Sequence, residues 1–103
     1  MMQYGLSENT VFKIIEVLKQ FPAIEKAVLY GSRAKGTYKP HSDIDITLSG
    51  EELNLAQLSH IVTMLDDLLL PYQFDVSIYH QIDNVELLDH IKRVGIQLFS
   101  SSR

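Results

Sequence analysis

Two short stretches of this 103-residue chain alternate strictly between apolar and polar side chains. Asp43-Ile-Asp-Ile-Thr-Leu48 sends Ile44, Ile46 and Leu48 one way and Asp43, Asp45 and Thr47 the other. Phe74-Asp-Val-Ser-Ile-Tyr79 repeats the pattern, with Phe74, Val76 and Ile78 opposed to Asp75, Ser77 and Tyr79. A period of two is the mark of a strand with one dry and one wet side. Whatever the chain folds into must therefore bury one face of two strands while leaving acids on the other.

The remaining segments supply the covering layer. Val11, Ile14, Ile15 and Leu18 recur at helical spacing between about Ser7 and Gln20, with Ser7 as N-cap and Pro22 closing the segment. Lys26-Ala-Val-Leu-Tyr30 is short, has β-formers in its middle and ends against glycine, which predicts a buried strand. A turn, with room for one helical turn, follows it. Ser49 and Glu52 have the spacing of a capping box, ahead of a stripe of Leu58, Ile61, Val62, Leu65, Leu68 and Leu69 that runs to Pro71. Asp83 is positioned to cap a last helix carrying Val85, Leu88, Ile91 and Val94, with Gly95 at C′ and a short tail behind it. No repeat, linker or low-complexity tract divides the chain, so residues 1–103 are expected to form one domain.

Composition excludes several classes. Cysteine is absent, so any metal must be held by oxygen or imidazole, which favours hard cations. A formal charge of −4 offers no broad basic surface for long nucleic acid. No apolar run approaches a membrane span, and MMQYGLSENT lacks the parts of a signal peptide, so a cytoplasmic location without membrane attachment is expected.

The acids carry the chemistry. Two residues apart on a strand, Asp43 and Asp45 share a face with Cβ atoms roughly 7 Å apart. If the Phe74 strand lies beside theirs, Asp75 joins them, and three carboxylates repel one another unless a cation intervenes. Single aspartates on a half-exposed sheet are ordinary, but aspartate is depleted in strands, and three on matching faces argue for a site. Mg²⁺ suits such a set because it takes a few carboxylates and leaves room for water and phosphate. The turn before the Asp43 strand fits phosphate: Gly31 allows the backbone to double back and Ser32 offers N–H and hydroxyl. Arg33 and Lys35 add positive charge nearby, although Arg33 could equally be a solvated turn residue. The turn is no P-loop, since Thr37 and Tyr38 stand where Lys and Ser or Thr are required, and no GxGxxG occurs.

Gly31-Ser32, Ala34, Gly36, Ser42-Asp43-Ile44-Asp45 and Asp75, in that order, resemble the DNA polymerase beta-like nucleotidyltransferase superfamily, specifically its small minimal nucleotidyltransferases. The resemblance spans nearly the whole chain. It implies an α+β nucleotidyltransferase fold with a small mixed three-stranded sheet and helices packed on one face. It implies that Asp43 and Asp45 bind two Mg²⁺ ions, that Asp75 shares a metal and helps deprotonate an acceptor hydroxyl, and that Gly31, Ser32, Arg33 and Ser42 serve the triphosphate. A nucleoside monophosphate would pass from a nucleoside triphosphate such as ATP to a hydroxyl of a small molecule or a partner protein, with two cations roughly 3.5 to 4 Å apart steadying the attacking and leaving oxygens. Larger relatives add a domain that grips base and acceptor. Without one, acceptor binding is expected to need a second copy or another protein, and the resemblance implies a helical partner of the HEPN type, as in toxin–antitoxin pairs. Lys35 and Ile46 depart from the residues frequent in the family without removing a ligand. A non-catalytic module that binds nucleotide or restrains a helical partner is the alternative, and it would be expected to have lost one of the three acids. His41, His60, His80 and His90 fall in four segments without ligand spacing and are expected at the surface, with His41 the one nearest the loop of the site.

Overall fold

A computed structural model describes residues 2–101. The chain begins with a two-stranded hairpin, β1 (Met2–Gln3) and β2 (Leu6–Ser7), followed by α1 (Glu8–Leu18), β3 (Lys26–Tyr30) and the short α2 (Gly31–Lys35). Then come β4 (Ile44–Ser49), α3 (Leu55–Asp66), β5 (Phe74–Ile78), a 3₁₀ turn at Tyr79–Gln81, α4 (Val85–Val94) and β6 (Ile96–Ser100). The main sheet has the order β5-β4-β3-β6. β3 runs antiparallel to both β4 and β6, and β4 runs parallel to β5, with α3 making the crossover that a parallel pair requires.

The α+β class with a mixed sheet is as expected, but the sheet has four strands where three were expected. The tail after Gly95 supplies the extra one. A bulge between Ala27 and Val28 shifts its register, pairing Ala27 with Phe99 but Val28 with Gln97. Leu98 and Phe99, adjacent in sequence, therefore both pack on the core, and the strict alternation that betrays β4 and β5 is lost.

Ala27 and Leu29 of β3, Ile44, Ile46 and Leu48 of β4 and Ile78 of β5 are buried under Ile14, Val17 and Leu18 of α1 and Ile61 and Leu65 of α3. Ser7 caps α1 as expected, its Oγ accepting from the Thr10 N–H at 3.1 Å. The other two caps differ. Ser49 is the last residue of β4, its carbonyl accepting from the Glu25 N–H, and α3 is capped instead by Asn54, whose Oδ1 accepts from the Gln57 N–H at 2.9 Å. α3 ends at Asp66, so Leu69 leaves the apolar stripe and stands 89% exposed at φ +56. α4 is capped by Asn84 rather than Asp83, through the Leu87 N–H at 3.1 Å.

Gly95 follows α4 in extended conformation, φ −60 and ψ 140, so it is not a left-handed C′ residue. It is small because a Cβ there would lie 2.4 Å from the Ile91 carbonyl oxygen and 2.8 Å from Val28 Cγ1. That contact also locates α4. Val28 shares its sheet face with Tyr30 and, by register, with Asp45 and Thr47, so α4 covers part of the face expected to be bare.

Candidate active site

The acid pair is set by strand pairing. β4 and β5 place Asp45 opposite Asp75 and Thr47 opposite Ser77, while β3 places Tyr30 opposite Asp45. Asp43 immediately precedes the β4 turn-in residue Ile44, exposed, and Asp75 is exposed beside the half-buried Asp45. The Asp45 carboxyl is pushed up from 3.8 to about 6, first by burial, then by the charge of Asp75, then by that of Asp43. Asp75 and Asp43 thus both act on Asp45 electrostatically. Among the described residues, ion pairs join Lys19 to Glu16 and Arg93 to Asp89, and none reaches these three. Nor does any group of three or more Asp, Glu or His side chains among the described residues enclose a metal position by itself. The donor set fits an ion whose remaining positions are filled by a phosphate ligand and water, as Mg²⁺ prefers, rather than an all-protein cage.

Tyr30 lies below Asp45 on the same face. Its phenol is raised above its ordinary value by burial, with Asp75 and Asp45 adding to the rise and the nearby Ser77 hydroxyl opposing it. Ser77 Oγ and Thr47 Oγ1 are nevertheless both buried without a hydrogen-bond partner among the described residues. The acid pair therefore gives way, along the strands, to two unpaired hydroxyls in register.

Gly31 opens α2 at φ +76, a left-handed conformation that suits glycine, and a Cβ there would stand 2.1 Å from Asp45 Oδ2. The turn and the acid strand are thus in direct contact, which no larger residue would allow. Ser32 is half-buried next to it, with no hydrogen bond to its hydroxyl among the described residues. Ser42 uses its hydroxyl to accept from the Lys39 N–H at 2.8 Å, closing the loop before Asp43.

Arg33 is not where a phosphate ligand would be. It is 1% exposed and its donors are committed to carbonyl oxygens: Nε to Ser42 at 3.1 Å, one terminal nitrogen to Tyr4 at 3.0 Å, the other to Ser42 at 2.9 Å and Pro40 at 3.3 Å. The rings of Tyr72 and Tyr38 flank the guanidinium, 4.7 and 5.4 Å from its central carbon. A planar fork that satisfies several carbonyls while stacked on aromatics is what makes a buried arginine tolerable without a carboxylate. Its effect is to tie the 36–43 loop, and with it Asp43, to the N-terminal hairpin, and the phosphate role expected of it is withdrawn.

His90, expected at the surface, is half-buried and engaged with the turn. On α4, it accepts the Gly31 N–H through Nε2 at 3.0 Å and meets the Tyr30 ring edge-on, with centroids 6.1 Å apart. The available signal was helical spacing: His90 lies three residues after Leu87 and four before Val94, inside the apolar stripe of α4. His41 is exposed in the loop.

Comparison with known proteins follows the same lines. The family model described as "Polymerase beta, Nucleotidyltransferase" matches residues 12–103. The "Putative protein adenylyltransferase MJ0141" of Methanocaldococcus jannaschii is 24% identical over 98 residues, 84% of this chain and 99% of its own. Among solved structures, a chain of a toxin–antitoxin complex with AMP-PNP superposes with a TM-score of 0.74 at 26% identity, covering 89% of this chain and 74% of that one. The fold is shared too with a chain of the Shewanella oneidensis complex of a tri-AMPylated HEPN toxin with an MNT antitoxin, at a TM-score of 0.70 and 22% identity, covering 91% of this chain and 72% of the other.

Proposed function

Because the chain belongs to the polymerase beta nucleotidyltransferase family, we propose that it transfers AMP from ATP to a hydroxyl on a partner protein, releasing pyrophosphate. The acceptor oxygen attacks the α-phosphorus as the bond to the β-phosphate oxygen breaks, and the acceptor proton passes to a carboxylate. The observation that carries this reading is the register pairing of Asp45 with Asp75, with the Gly31 turn packed directly against Asp45.

In that arrangement Asp75, exposed and at the strand edge, is the group placed to take the acceptor proton. Ser32 supplies N–H and hydroxyl to the triphosphate, and Ser42 shapes the loop that delivers Asp43. Mg²⁺, held by Asp43, Asp45 and Asp75, would neutralise phosphate charge and lower the barrier by the electrostatic stabilisation usual in phosphoryl transfer. The choice of adenosine is supported by the AMP-PNP of the structural neighbour and the adenylyltransferase name of the archaeal relative. The proposed acceptor is a HEPN-type helical partner, the class implied by the motif resemblance and consistent with the toxin–antitoxin assemblies that share the fold.

The test is incubation with α-labelled ATP and Mg²⁺, with and without the product of the adjacent reading frame, comparing the wild type with Asp45→Asn. Label should move to the partner with the wild type only. Transfer that persists undiminished in the variant would reject the assignment. A non-catalytic nucleotide-binding module is the alternative, and the retention of Asp43, Asp45 and Asp75 together weighs against it. That reading requires nucleotide binding by the wild type with no transfer to any acceptor.

A further inference from the structure

The imidazole of His90 has no role in the chemistry proposed above, yet it is bonded to the turn on which that chemistry depends. Gly31 N–H donates to Nε2 at 3.0 Å, which assigns the ring proton to Nδ1. The same ring braces Tyr30, the residue before the turn. On its other side Gly31 is pressed against Asp45. The turn is thus gripped between an acid on β4 and a histidine on α4. α4 is itself lightly attached: Ile91 is its buried residue, Val85 is exposed, and its packing is against α2 and β3.

We infer that His90 is a positioning residue for the phosphate turn, holding the Gly31 peptide so that the Ser32 N–H and hydroxyl remain for the substrate, and that the seating of α4 thereby sets nucleotide affinity. The Gly31 N–H, being already bonded to His90, is not itself a phosphate donor. The choice of ligand rests on the nucleotidyltransferase reading, whereas the hydrogen bond can be measured without any nucleotide.

Ring and acceptor can be removed separately. His90→Phe keeps an aromatic edge against Tyr30 and removes the acceptor. His90→Gln removes the ring and keeps a carbonyl oxygen at similar reach. Losing one such hydrogen bond should raise the KM for ATP about three- to tenfold in the Phe variant, with kcat changed much less, and the Gln variant should recover most of the loss. The reverse order, Phe behaving as wild type and Gln impaired, would show that His90 only fills space. In the nucleotide-free protein, hydrogen exchange at the Gly31 amide should quicken in the Phe variant and stay slow in the Gln variant. A wild type that binds no ATP with Mg²⁺ sinks the nucleotide reading. A Gly31 amide indifferent to His90→Phe sinks this inference instead.

Discussion

Replacing Asp45 by asparagine should make the metal-free protein more stable at neutral pH, and the amount can be worked from its surroundings. Asp45 titrates at about 6 in the fold against 3.8 for the free side chain, because burial, Asp75 and Asp43 all disfavour its charged form. A carboxyl raised in this way contributes stability that is complete below pH 3.8 and is lost as pH climbs through about 6. The shift corresponds to a ceiling of about 3 kcal/mol, and since Asp45 is only half-buried, solvent screening brings the expected effect down to about 1–2 kcal/mol. Asparagine has the same shape, so the contact with Gly31 is kept. Urea denaturation in EDTA would then show Asp45→Asn and wild type equal near pH 3 and separated by about 1–2 kcal/mol at pH 7.5, with the variant ahead. Added Mg²⁺ should narrow the gap by stabilising the wild type alone. A gap of the same size at both pH values, or a variant less stable at pH 7.5, would refute the claim that these acids repel one another.

Three further substitutions probe the frame around the site. Gly31→Ala forces a methyl against Asp45 Oδ2 at positive φ, and should lower stability by about 1–3 kcal/mol in denaturant melts and abolish labelled-ATP transfer. Arg33→Lys keeps the charge but cannot reproduce the fork to Ser42, Tyr4 and Pro40 carbonyls, and a loss of about 2–4 kcal/mol is expected by the same measurement. Were Arg33 a phosphate ligand after all, that variant would keep its stability and lose only ATP affinity. Gly95→Ala must push α4 off Val28 or bend it away from the Ile91 carbonyl, so thermal melts should show about 1–3 kcal/mol of destabilisation.

The strands that bear the acids were legible because each has one dry face, and a period of two has no other cheap explanation in six residues. Lys26–Tyr30 was legible for a related reason, a β-rich run stopped by glycine, and the structure places the strand at those residues. What escaped was whatever a neighbour in space decides. β6 reads as a tail because its bulge breaks the alternation, and the hairpin of β1 and β2 rests on a two-residue turn, Tyr4 and Gly5, both at positive φ, in which tyrosine is an unusual first residue. Asn54 and Asn84 were overlooked as caps because Ser49 and Asp83 sit at credible spacing, and only the extent of β4 and the first turn of α4 choose between them. His90 and Arg33 fail in opposite directions for one reason. Both side chains are polar, and sequence alone assigns polar groups to water unless partners are visible, whereas these partners are backbone groups of Gly31, Ser42, Tyr4 and Pro40.

The burial of Arg33 has an electrostatic consequence for substrate binding. With its charge committed to carbonyls, Arg33 is not available to offset Asp43, Asp45 and Asp75 if a triphosphate binds as proposed, and Lys35 at the end of α2 and Lys39 on the loop after it lie exposed. One carboxylate about 5 Å from a phosphate oxygen costs about 3 kcal/mol at an effective dielectric constant of 20, and three of them exceed what the turn's N–H and hydroxyl donors could return at about 1.5–3 kcal/mol each. On the proposed reading, nucleotide binding is then expected to be conditional on a divalent cation rather than merely assisted by it. Isothermal titration of a non-hydrolysable ATP analogue should give a Kd at least about 100-fold weaker in EDTA than in Mg²⁺, a difference of about 2.7 kcal/mol. Asp45→Asn should shrink that ratio, because it removes repulsion and a ligand together. If the analogue binds within threefold of the same affinity in both buffers, the phosphates do not lie against these acids, and the site must be sought on another face of the sheet.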